Sequence, residues 1–337
     1  MPNLFLERLR TAAGHEAGLR RRQDLIVASA LIFMLALATF GTTVVLTARQ
    51  TQQEIEYELQ KRAATFARVI DRRLQVYEAA LLTIAQSHAL RGDFDLNAVA
   101  EDAQRVGDLF GGWFVVATGG ETLQMLLITS KPDARLAEPE PRVAFPELVV
   151  AEQESIRLGY SVVSDPFPGR VVGESVVSIA SPIDTDMTPT PFIYFSFTLN
   201  ELTEQLMEIP LLEGEFAAIV DGSGRVIARS FDNDQFQLAE LPDWYLAFLK
   251  GRNSEGTTEL AAEADSQRIF AMQRLETAPR WTVTISRPLP SVISSVYQSA
   301  SPGLITLLVL LVSIGIAMLV LDIRKVRALS DWITREA

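Results

Sequence analysis

Phe216-Ala-Ala-Ile-Val-Asp-Gly-Ser-Gly-Arg225 reads as a strand, a tight turn and the start of a returning strand. Phe216 to Val220 is apolar and suits a sheet interior, Asp221-Gly222-Ser223-Gly224 is turn-forming, and Arg225 to Phe231 resumes the strand. An earlier stretch has the same build: Trp113 to Thr118, the pair Gly119-Gly120, then Leu123 to Ser130. The two are weak copies of each other, and each is followed by a helix and three further strands. For the first, these are Pro146 to Leu158, then Ser161 to Ser164, Val171 to Ser181 and Ile193 to Leu199. For the second, they are Asp243 to Lys250 with Gly251 as C-cap, then Thr257 to Leu260, Arg268 to Leu275 and Trp281 to Arg287. Period-two alternation is clearest where Ile193, Phe195, Phe197 and Leu199 interleave with Tyr194, Ser196 and Thr198. The economical reading is an α+β fold of two tandem, mostly antiparallel five-stranded sheets with helices on one face.

Around the sheets, Asn97 to Phe110 reads as a helix closed by Gly111-Gly112, and Asn200 is placed to cap a helix from Glu201. Upstream, Thr51 to Leu90 has no Gly or Pro. Ala63, Ile70, Tyr77 and Ile84 recur there at heptad spacing, with Leu59, Phe66, Leu74 and Leu81 beside them, in one broad apolar stripe. A helix of about 40 residues would reach roughly 60 Å. Such a stripe suits packing on the chain's own sheets and also a seam with a second copy.

Farther out, Leu25 to Ala48 and Gly303 to Leu321 contain no charged residue. At about 1.5 Å per residue, each is long enough for a hydrocarbon core of about 30 Å. Arg8, Arg10, Arg20, Arg21 and Arg22 precede the first run, and Arg324, Lys325 and Arg327 follow the second. Both termini are therefore expected in the cytoplasm. Thr47-Ala48-Arg49 is a poor cleavage site, so the first run is expected to be retained as an anchor. The expected plan is a cytoplasmic tail (1–24), a first span (25–48), a stalk helix (49–92), one sheet unit (93–210), a second (211–290), a connecting helix (291–302), a second span (303–321) and a tail (322–337). Residues 49–302 would lie in the periplasm of a bacterial inner-membrane protein.

The 337-residue chain carries a formal charge of −12 and no cysteine. An acidic balance argues against nucleic acid as a partner. The lack of cysteine removes thiol catalysis and Cys-based metal sites. Only His15 and His88 are present, so neither a triad nor a His-based metal site can be assembled. Asp221-Gly222-Ser223-Gly224 lacks both the Gly-Lys-Ser/Thr ending of a phosphate loop and the carboxylates of a calcium loop, and is a hairpin turn. The pairs Asp232/Asp234 and Glu138/Glu140 sit in loop-like sequence with no apolar setting to raise a pKa. No catalytic, metal or cofactor site is expected.

Two segments, Arg105-Val-Gly-Asp-Leu-Phe-Gly-Gly-Trp-Phe-Val-Val116 and Ile219-Val-Asp-Gly-Ser-Gly-Arg-Val-Ile-Ala-Arg-Ser230, carry a family resemblance. With the spans, the long helix and the tandem sheets, they resemble the double Cache sensor regions of bacterial histidine kinases, diguanylate cyclases and chemoreceptors, over about Gln50 to Pro302. The resemblance implies two tandem PAS-like units on one long N-terminal helix, the membrane-distal one (93–210) holding a small ligand and the proximal one (211–290) relaying the change. These are turn and strand signatures, so they speak to fold before activity. The family's amino-acid pattern of Tyr, Arg, Trp and Asp does not map here. Tyr160 and Asp165 lie in the right region, but no Arg-x-Trp pair accompanies them.

A distal pocket would be lined by the sheet face, the helix from Pro146 and the loop before it. Its candidate residues are Trp113, Met125, Arg135, Tyr160, Arg170 and Tyr194. An anionic ligand would need a guanidinium, and Arg135 and Arg170 both sit in Pro-flanked loops. The plainer reading makes the aromatics core and the arginines solvated. The expected function is that of a non-enzymatic input module, dimeric through its long helix, acting through the second span on a cytoplasmic output. Residues 322–337 are too few for that output, which is expected in a missing segment or a separate protein. The alternative is an assembly protein such as a polysaccharide chain-length regulator, which shares the two-span layout and a proline like Pro302 but has a mostly helical external part.

Overall fold

The computed structural model describes residues 2–92, 94–129, 140–243, 246–247, 256–259 and 268–288, with isolated positions between 303 and 315. The chain divides into two compact units, Met1–Ile55 with Pro290–Ala337, and Glu56–Leu289. The connecting helix at 291–302 and the tail at 322–337 lie outside the described residues, as do most of Asp243 to Lys250 and all of Gly251.

Helix α1 (Pro2–Ala85) carries the charge-free run Leu25 to Ala48 without a break. That run lies only partly within the residues whose side chains are described, and among the described residues no helix is long and apolar enough to cross a membrane. Within Glu56–Leu289, the expected apolar stripe is buried throughout: Leu59, Ala63, Phe66, Ile70, Leu74, Tyr77, Leu81 and Ile84 are at most 5% exposed. The helix stops at Ala85 rather than Leu90. Ser87 takes extended geometry and starts a separate short helix, α2 (His88–Arg91). Helix α3 (Leu96–Phe110) begins on Asp95, whose carboxylate accepts from the Asn97 and Ala98 amides at 3.0 and 3.1 Å. It ends on Gly111 at φ 71°, where a missing Cβ removes the left-handed penalty.

The first sheet follows. It draws on β1 (Trp113–Ala117), β3 (Met125–Ile128), β5 (Val162–Val163), β6 (Phe167–Gly169), β7 (Glu174–Pro182) and β8 (Phe192–Thr198). Its order is β3-β1-β8-β7-β5, with β6 also on β7, and every pairing is antiparallel. Six strands stand where five were expected. The edge of β7 is nine residues long and takes two partners, β5 opposite Ile179 and Ala180, and β6 opposite Glu174 to Val176. Between them, Pro166 has no N–H to continue the ladder. Thr122–Leu123 (β2) leaves the hairpin to pair with Glu140–Pro141 (β4). Helix α4 (Pro146–Leu158) matches its expected bounds, whereas α5 (Leu199–Met207) starts after Thr198 instead of Asn200.

Strand β8 is buried on both faces, contrary to a one-sided reading of its alternation. Phe195 and Phe197 meet Tyr77 of α1, at ring separations of 5.0 and 4.8 Å. Tyr194, on the opposite pleat, packs in a cluster with Leu148 and Ala151 of α4. Helices therefore cover this sheet on both sides.

The second sheet is five-stranded, as expected: β9 (Phe216–Val220), β10 (Val226–Arg229), β11 (Gly256–Glu259), β12 (Arg268–Arg274) and β13 (Thr282–Pro288), in the order β10-β9-β13-β12-β11. After its hairpin comes α6 (Asn233–Phe236), a helix the sequence reading lacked. Helix α1 is tied to this sheet as well. Asp71 accepts from the Glu276 and Thr277 amides at 3.1 and 2.8 Å, and Arg62 pairs with Glu215 at 2.9 Å.

Candidate functional site

The register of the first sheet decides which side chains share its α4 face. Trp113 stands opposite Ser196, Val115 opposite Tyr194, and Ser178 opposite Ser196. These residues floor a cavity with about 480 Å³ of empty space. Met125 flanks the floor, Phe145 and Leu148 come from the α4 side, and Phe167 to Val172 form the remaining wall. The lining is mainly apolar. Its polar points are Tyr194, Arg170 and the hydroxyls of Ser178 and Ser196, which lie 2.7 Å apart.

Of the expected site residues, Trp113, Met125, Arg170 and Tyr194 come together here. The Arg170 guanidinium lies 5.8 Å from the centre of the Phe145 ring. Tyr160 does not join them. Gly159, at φ 77°, turns the chain after α4, and Tyr160 is left 57% exposed beside a different cleft shared with Pro279 and Arg280. Arg135 lies outside the described residues.

Two residues that sequence reasoning missed sit behind Tyr194. Its phenol donates to Glu152 at 2.5 Å, and the other Glu152 oxygen pairs with Arg142. Arg142 also donates to the Thr118 carbonyl. Arg142 and Glu152 are 7% and 5% exposed. Burial raises the Tyr194 pKa, against the pull of Arg142, so the phenol stays protonated and acts as a donor. A signal for Glu152 was present in the sequence. It lies one helical turn from Leu148 and close to Ser155, on the buried face of α4.

Asp165, between β5 and β6, points elsewhere. Its buried carboxylate accepts from the Gly222 amide at 3.2 Å, the Trp281 indole at 3.0 Å and Arg280 at 2.5 Å. It thereby ties the edge of the first sheet to the turn Asp221–Gly224 of the second. That turn closes on itself, with Asp221 Oδ1 accepting from the Ser223 and Arg225 amides at 2.9 and 2.8 Å.

Burial pushes the Asp165 pKa up, with Arg280 opposing. The folded state therefore holds this proton more tightly than the unfolded chain. The stability linked to it is complete below the unfolded pKa and is lost as pH rises through the folded one. Thermal midpoints measured across that acidic window should fall with rising pH, and Asp165→Asn should flatten the fall. The opposite slope in the difference between the two proteins would show that the donors around Asp165 outweigh its burial.

No family model matches the chain, and no curated protein does. Solved structures do. The extracellular domain of the histidine kinase rpHK1S-Z16 aligns with a TM-score of 0.58 at 14% identity, over 72% of this chain and 98% of that one. The ligand-binding domain of the Pseudomonas fluorescens chemoreceptor CtaA, in complex with L-isoleucine, aligns at 0.57 and 17%, over 73% and 98%. That of the Campylobacter jejuni chemoreceptor Tlp3, with L-valine, aligns at 0.54 and 11%, over 73% and 98%. The chain has the fold of extracellular sensory domains, in line with the double Cache resemblance of its sequence.

Proposed function

We propose that the chain is the input module of a membrane-bound receptor, and that its ligand is a small carboxylate with an apolar body held in the cavity over β8. The observation that carries this reading is the cavity itself: an apolar lining with Tyr194, Ser178 and Ser196 on its floor and Arg170 in its wall. The neighbouring domains hold L-isoleucine and L-valine, ligands of similar bulk. No acidic side chain lines the cavity among the described residues, so a carboxylate suits it better than the ammonium of an amino acid.

In this reading, 93–210 and 211–290 are tandem PAS-like units, distal and proximal. Leu25 to Ala48 and Gly303 to Leu321 cross the membrane, both termini are cytoplasmic, and 49–302 are periplasmic. Leu31, Met34, Leu35, Leu37, Val45 and Leu46 are each more than half exposed on α1, which suits a lipid surround. A second copy associates along α1, and the second span passes the change to a cytoplasmic kinase or cyclase. The sheets weigh against the assembly-protein alternative.

The test is thermal unfolding of the full chain in detergent micelles against aliphatic carboxylates and the matching amino acids. A branched carboxylate such as isovalerate should stabilise the protein, and Ser178→Leu, which fills the cavity floor, should weaken it by at least about tenfold. An unchanged response in that variant, or no response to any compound, would sink the assignment.

A further inference from the structure

We infer, resting on the carboxylate reading of the cavity over β8, that the ligand is a hydroxy acid whose alcohol is read by the paired hydroxyls of Ser178 and Ser196. Ser196 of β8 stands opposite Ser178 of β7, and both side chains line the cavity. Their oxygens lie 2.7 Å apart, and the two residues are 4% and 2% exposed.

A serine hydroxyl brings one proton and two lone pairs. Two hydroxyls that share a single hydrogen bond spend one proton between them, so the pair keeps one O–H and lone pairs to spare. The backbone around them is already engaged. Ser196 lies in a strand paired on both sides, and the Ser178 carbonyl accepts from the Ser164 amide at 2.9 Å. The Ser178 amide in turn donates to the Ser164 hydroxyl at 3.1 Å. Tyr194, the nearest polar residue along β8, gives its own proton to Glu152. Around the serines, Trp113, Val115, Val176 and Phe167 make the lining apolar, so a spare O–H left facing it without a partner is costly. An alcohol answers both needs of the pair, because it accepts and donates. A methyl group answers neither. An ammonium could use the lone pairs, but it has no acceptor for the proton.

Isothermal titration of the full chain in detergent tests this with isovalerate, α-hydroxyisovalerate, β-hydroxyisovalerate and valine. The better of the two hydroxy acids should bind at least about tenfold tighter than isovalerate. Valine should not share that gain. The double change Ser178→Ala with Ser196→Ala should remove the preference and leave the isovalerate affinity unchanged, which also reports that the variant is folded. Each single alanine variant still carries one O–H and should keep a preference. Equal affinities in the wild type, a preference that survives the double change, or valine binding as tightly as the hydroxy acids overturns the inference and leaves the carboxylate reading standing. Loss of isovalerate in the double variant overturns it too, since the serines would then serve packing. Failure of every carboxylate to bind the wild type overturns the carboxylate reading itself.

Discussion

Replacing Glu152 with alanine is expected to destabilise the sheet-bearing region by about 3–5 kcal/mol, because it strands the buried guanidinium of Arg142 without its anion. The pair is desolvated on both sides, with side chains 9% and 7% exposed, so solvent cannot take over the role of the carboxylate. The same change removes the acceptor for the Tyr194 phenol, which has no route to ionise away its proton in that setting. Denaturant titration followed by circular dichroism measures the loss as a shift in midpoint. The double change Arg142→Met with Glu152→Leu should recover most of it, since apolar replacement of a buried pair is commonly near neutral. A loss below about 1 kcal/mol in the single variant would mean that water reaches the pair. A double variant as unstable as the single one would assign the cost to packing or to the stranded Tyr194 phenol.

Asp165→Ala should cost about 3 kcal/mol, by leaving the Gly222 amide and the fully buried Trp281 indole without their acceptor. The more telling measurement is amide hydrogen exchange. Exchange should quicken at 164–170 and also at 221–224 and 277–281, segments that belong to different sheets and meet at this carboxylate. Asp165→Asn keeps one acceptor oxygen and should fall between wild type and alanine. Faster exchange confined to 164–170 would show that the bridge contributes nothing to the second sheet.

Much of the fold was legible because its signals are local. The Asp221–Gly224 turn is held by bonds between residues at most four positions apart, so composition alone identifies it. Trp113, Met125 and Tyr194 could be placed on one face because strand alternation is itself a local rule. The misses share the opposite property. Phe167-Pro168-Gly169 argues against a strand, yet it forms one at a sheet edge, where proline has no ladder bond to lose. Ser196 was not among the expected cavity residues, and it joins the floor only because α4 covers its face of the sheet while α1, from the N-terminal part of the chain, covers the other. Arg142 and Glu152 lie on a loop end and a helix, and only tertiary packing removes them from water. Tyr160 fails for a conformational reason: the left-handed Gly159 carries it past the end of α4 and away from the cavity.

Strand β8 imposes a constraint on how such a molecule can diversify. Neighbouring residues along it belong to different compartments: Tyr194 and Ser196 border the cavity, while Phe195 and Phe197 grip Tyr77. A peptide plane cannot tilt toward one compartment without tilting away from the other. Any substitution at 194 or 196 that re-aims the backbone therefore also disturbs the seat of the long helix. Changes in the cavity are best tolerated at Met125, Leu148 or Val172, which line it from elements that do not carry the contacts to Tyr77. The positions on the cavity floor are in this sense the least free to vary, and under the proposed reading drift in specificity enters through the rim of the cavity instead of its floor.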